Sequence, residues 1–128
     1  MLHEILDVHQ RPGEPLRRWF EDNDFQLIVW IEAHEISAFE LSHDLASHWR
    51  VIKWSRTRGL MYYEVDEGEG TAHKPQAAVE LRDACSLSKA QAQHVAQRFN
   101  TASQNIDCNI ARVVYHTLLR HDPSPPRW

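Results

Sequence analysis

The run Phe25-Gln26-Leu27-Ile28-Val29-Trp30-Ile31 is apolar at six of its seven positions, between the acidic stretch Glu21-Asp22-Asn23-Asp24 and the polar connection Glu32-Ala33-His34-Glu35. A short, β-branched and aromatic run bounded in this way suits a central sheet strand better than a helix. Ile36-Ser37-Ala38-Phe39-Glu40-Leu41 follows, so the pattern predicts a β-hairpin whose first strand is apolar on both faces. Phe25, Leu27, Val29 and Ile31 point one way, and Ile28 and Trp30 the other.

Downstream, Trp49-Arg50-Val51-Ile52-Lys53-Trp54 reads as a further strand after a connection at residues 43–48. Ser55-Arg56-Thr57-Arg58-Gly59 supplies turn chemistry before a strand over residues 60–65. Residues 2–8 alternate well enough for an edge strand, which residues 11–15, with two prolines, break. Residues 16–20 read as one helical turn or irregular chain, residues 67–71 as a flexible loop, and residues 77–81 as a short extended piece.

The period then changes from two to 3.6. Ser88 and Gln91 fit a capping box flanked by the staple pair Leu87 and Ala92, and Val95, Phe99, Ala102 and Ile106 form one apolar stripe. Asp107 is placed to cap a second helix with Ile110, Val113, Val114, Thr117 and Leu118 on its apolar side. The expected fold is α+β: an antiparallel meander of four to five strands with two C-terminal helices, over residues 88–105 and 108–120, packed on one face. Residues 1–121 form a single domain and residues 122–128 a Pro-rich tail. Val95, Phe99, Val113, Val114 and Leu118 are the expected helix core. Two helices cover only one face of a doubly apolar strand. Either Leu16, Trp19 and Phe20 fold over the second face, or that face is an oligomer interface or a ligand groove.

Length and composition add little to this picture: 128 residues, 42% hydrophobic and 25% charged, belong to one ordinary globular domain. The start Met1-Leu2-His3-Glu4 carries no signal-peptide pattern and no apolar run is long enough to span a membrane, so a cytoplasmic location and no membrane partner are expected. In a reducing compartment Cys85 and Cys108 are expected as free thiols. A formal charge of -4 disfavours sequence-independent nucleic-acid binding. It leaves room for the local basic set Arg50, Lys53, Arg56 and Arg58, which an acidic set, Glu64, Asp66, Glu67 and Glu69, follows.

No catalytic motif survives inspection, and no catalytic, cofactor-binding or metal-ligating residue is assigned. His43 and His48, with Asp44 between them, fall on opposite faces of a strand and align poorly on a helix. Asp66, Glu67 and Glu69 lack EF-hand spacing and read as a solvated acidic loop. Four glycines scarcely suffice for a phosphate or dinucleotide loop. Cys108 opens a helix, but the adjacent Asp107 opposes any thiolate, so it reads as a structural or surface thiol. The most suggestive constellation is the aromatic and basic set on one hairpin, of the kind that stacks bases and tracks phosphates. By parity Arg50, Trp54 and Arg56 share one face while Trp49 and Lys53 share the other. The candidate binding surface is therefore Trp30, Arg50, Trp54 and Arg56.

Arg17-Arg18-Trp19-Phe20 with Asp22, the run from Phe25 to Trp30, Phe39-Glu40-Leu41, Asp44 and the pair Trp49-Arg50 resemble a group of short bacterial proteins of unknown function, over residues 16–115. The resemblance implies a bacterial source and a sheet, and brings no reaction, cofactor or catalytic residue with it. The sequence does not tell which activity the chain has. It points to a small non-enzymatic interaction or accessory protein that self-associates through a sheet face or takes an unidentified protein partner. The alternatives are single-stranded nucleic-acid binding by the Trp/Arg hairpin, or a small-ligand or enzyme site assembled from scattered groups such as His43, His48 and Asp66.

Overall fold

The computed structural model describes residues 1–6, 12–13, 15–45, 48–65, 81–85 and 87–122, and within these leaves the side chains of 44, 45, 48, 64, 65 and 81–85 undescribed. Among these described residues seven strands run in strict chain order: β1 (His3–Ile5), β2 (Leu16–Glu21), β3 (Phe25–Glu32), β4 (Glu35–Leu45), β5 (His48–Ser55), β6 (Gly59–Val65) and β7 (Leu81–Cys85). Six antiparallel pairings join them, each strand to its sequence neighbour. Helices α1 (Lys89–Ala102) and α2 (Cys108–Leu119) complete the α+β fold. The predicted meander is present, with seven strands where the hydrophobic pattern indicated four to five. The loop over residues 67–71, the extended piece up to residue 80 and the tail from residue 123 lie outside the described residues.

Cross-strand register sorts every side chain onto one of two faces. Phe20, Leu27, Leu41, Ile52 and Tyr62 form one row, and Val29, Phe39, Trp54 and Leu60 the next. These rows meet the helices. Ala92, Val95, Ala96 and Phe99 of α1 and Ile110, Val114 and Leu118 of α2 are buried in the same cluster. Phe99 stands edge-on to Phe25, with ring centroids 6.0 Å apart. Of the expected helix core, Val113 alone is only partly buried, packed against the margin of that cluster.

Both helix starts are built as their residues predict. The Ser88 hydroxyl accepts from the Gln91 N–H at 3.0 Å while the Gln91 side chain accepts from the Ser88 N–H at 2.9 Å, with Leu87 and Ala92 both buried. Asp107 accepts from Asn109 N at 2.9 Å and Ile110 N at 3.3 Å. Helix α1 ends at Ala102, three residues before the expected limit, because the N–H of Ser103 closes the last turn on the Phe99 carbonyl.

Two expectations fail at the sheet. Residues 16–20 are part of strand β2 and not a helical turn, so Leu16, Trp19 and Phe20 widen the sheet instead of folding across its second face. The physical reason is Arg18, which occupies an apolar-parity position with its guanidinium bound twice to Glu4, at 2.9 and 2.7 Å, and once to Asp107, at 3.2 Å. That fork holds the Glu4 carboxyl below the ordinary carboxylate range. In addition, residues 43–45 belong to β4 and not to a connection, which shortens the link to β5 to residues 46–47. The β3–β4 hairpin turns on two residues, Ala33 (φ 50°) and His34 (φ 64°), both in the left-handed region, where glycine or asparagine is the usual choice.

Candidate functional site

The face of the sheet turned away from the helices carries its own rows: Ile28, Glu40, Lys53 and Met61 in one, Trp30, Ala38, Ser55 and Gly59 in the next. The second row sets the largest side chain, Trp30, beside three positions with small side chains or none. Next to Trp30 this leaves a groove of about 500 Å³, lined among others by Trp30, Ala38, Lys53, Ser55, Gly59 and Met61. It lies at the end of the sheet where the β3–β4 and β5–β6 turns meet. Toward the other end of the same face Gln26, Ile28, Ser42, Trp49 and Val51 are buried.

Charges cross the groove floor in a fixed order. Lys53 Nζ stands 3.2 Å from Glu40 Oε1 and 5.5 Å from the centre of the Tyr63 ring. The Tyr63 hydroxyl donates to Met61 Sδ at 3.5 Å, which aligns the far wall. Glu40 and Lys53 are both partly solvated, at 22% and 41% side-chain exposure, so their pair contributes little to stability. Its value is positional: opposite charges sit side by side among aromatic and apolar groups.

The four residues expected to form a binding surface are divided between places. Trp30 walls the groove. Trp54 lies on the helix face, stacked on Phe39 with centroids 5.5 Å apart, and Arg50 lies on that face with its guanidinium 5.9 Å from the Tyr62 ring. Arg56 sits at the β5–β6 turn and is tied to β4, donating to the Ile36 carbonyl at 3.1 Å and pairing with Glu35 at 3.3 Å. Sequence reasoning missed Ala38, Ser55 and Gly59. Their signal is smallness, and it becomes informative only when register aligns them beside Trp30.

His43 is fully buried on the helix face, its ring stacked at 6.0 Å on Tyr62 and its Nε2 3.5 Å from the Tyr62 hydroxyl; Nδ1 has no hydrogen-bond partner among the described residues. Burial, reinforced by the positive charges of Arg98 and Arg50 and by His94, pushes its pKa down to about 4. The imidazole is neutral at pH 7 and closed to solvent. The side chains of Asp44, His48 and Asp66, named with it as a scattered set, lie outside the described residues. Cys108 is an exposed free thiol.

Among the described residues no helix is long and apolar enough to cross a membrane. No protein-family model, no curated protein and no solved structure matches this chain.

Proposed function

We propose that this chain is a small non-enzymatic accessory protein of the bacterial cytoplasm that acts by contact, and that its contact surface is the sheet face opposite the helices, centred on the groove beside Trp30. The supporting observation is the composition of that groove: Trp30, Met61 and Tyr63 around a floor of small residues, with one opposite-charge pair for orientation. Aromatic and methionine side chains around a recess are the elements that carry binding energy at protein contacts, and a few charges set register. The buried imidazole of His43 offers a substrate no access, which weighs against an enzyme built on it.

The test places a photo-crosslinking amino acid at Ser55, on the groove floor, and separately at Gln97, exposed on α1. A discrete adduct formed in cells from position 55 and not from position 97 is expected. No adduct from position 55, or the same pattern from both, removes the contact face.

A further inference from the structure

Building on that contact face, we propose that its occupant is a second copy of this chain, docked groove to groove at the turn end of the sheet, where Trp30, Met61 and Tyr63 keep contact with solvent, about a two-fold axis that runs along the strands between β4 and β5. Such an axis lays β4 over the partner's β5 and β3 over the partner's β6, and it keeps each residue at its own height along the strand. Glu40 then faces the partner's Lys53, Ala38 faces the partner's Ser55, and Trp30 faces the partner's Gly59, because these residues share rows within one sheet. The bulkiest group meets the one position with no side chain, twice, by symmetry. Each indole enters the other copy's groove, whose volume of about 500 Å³ accommodates it.

Charge selects the same arrangement. Glu40 and Lys53 already stand 3.2 Å apart within one copy. The two-fold sets the partner's pair against them in reversed order, so the four charges alternate in sign around the axis. An axis running across the strands through the same row would instead put Glu40 on the partner's Glu40 and Lys53 on the partner's Lys53, which is repulsive. The surface is thus complementary to itself in one orientation, as a closed, isologous dimer requires.

The experiment is sedimentation equilibrium of the full chain at tens of micromolar. Wild type is expected at twice the chain mass. Glu40→Lys alone and Lys53→Glu alone each place like charges across the axis and are expected to be monomeric. Mixed in equal amounts, they are expected to regain the dimer mass. Within each variant the internal pair is still like-charged, so recovery on mixing comes only from contact between copies. Ala38→Trp, which fills the groove without altering charge, is expected to raise the dissociation constant roughly tenfold or more and serves if a charge variant fails to fold. A monomeric wild type, a mixture of folded variants that stays monomeric, or an unchanged dimer in Ala38→Trp overturns the proposal. The crosslink at position 55 separates this failure from that of the contact face: an adduct of another mass leaves the face in use by a different protein, and no adduct removes both.

Discussion

The two faces of the sheet are made by the same strands and solve opposite problems. On the helix face Phe20, Leu27, Val29, Phe39, Leu41 and Ile52 are buried under α1 and α2, and among the polar groups there are the Arg18 fork at the margin, Arg50 over the Tyr62 ring and His43 against Tyr62. On the other face Trp30, Met61 and Tyr63 keep contact with solvent beside Glu40 and Lys53. Alternation along β3 supplies apolar groups to both faces, but only one receives a layer of helices. The first face is built for stability. The second is divided: Ile28, Trp49 and Val51 are buried toward one end, and Trp30, Met61 and Tyr63 keep solvent contact toward the other.

Substitutions should separate the faces by size of effect. Phe99→Ala on the helix face is expected to cost about 3–5 kcal/mol, measured by denaturant unfolding; a cost below about 1 kcal/mol would mean that the helix face is not the stabilising one. The next effect is a pH dependence carried by the polar defect of that face. The folded-state pKa of His43 is depressed to about 4 from 6.5, so the unfolded chain binds the extra proton, and stability is full above the unfolded value and falls as pH drops toward 4. The loss over that window is about 3 kcal/mol. Thermal unfolding at pH 7 and pH 4.5 should show it, and His43→Leu should flatten the profile between those values. An equally steep profile in the variant would assign the effect elsewhere.

A smaller effect tests the fastening of the helix layer. Asp107→Ala removes the α2 cap and one of the Arg18 partners and is expected to cost about 1–2 kcal/mol, with Asp107→Asn recovering most of it. Equal losses in both variants would show that the charge, and not the cap, is what matters. Smallest of all, Trp30→Ala on the open face is expected to change single-copy stability by about 1 kcal/mol or less, while abolishing association. A loss matching that of Phe99→Ala would erase the distinction between the faces.

How much of this was legible in the sequence follows from what each element depends on. The β3–β4 hairpin and both helices could be read because their apolar periods and caps are local. Strand β2 was hidden because Arg17 and Arg18 interrupt its alternation, and the reason Arg18 is tolerated, its ties to Glu4 and Asp107, spans 89 residues of sequence on one side. The continuation of β4 was hidden because Ser42 and His43 look like loop residues yet are buried. The turn gave no help, since Ala33-His34 carries none of the glycine or asparagine that announces positive φ. The groove depends on the register of four strands at once, and no single strand holds that information.

Strand β1 and the residue before it are also fastened to the two helices. The Leu2 N–H donates to the Ala102 carbonyl at 2.8 Å, and Glu4 and Asp107 are held by the same guanidinium. On a ribosome β1 emerges before β2, with which it pairs, yet its partners in α1 and α2 follow about a hundred residues later, a delay on the order of 5–20 s at ordinary synthesis rates. Strands β2 to β6 need only their immediate neighbours and can pair as they appear. Strand β1 is therefore made well before its helix partners and is among the last elements to be fully secured, so Arg18→Ala, which removes its tie to the start of α2, should act on this closing step and leave the pairing of the central strands intact.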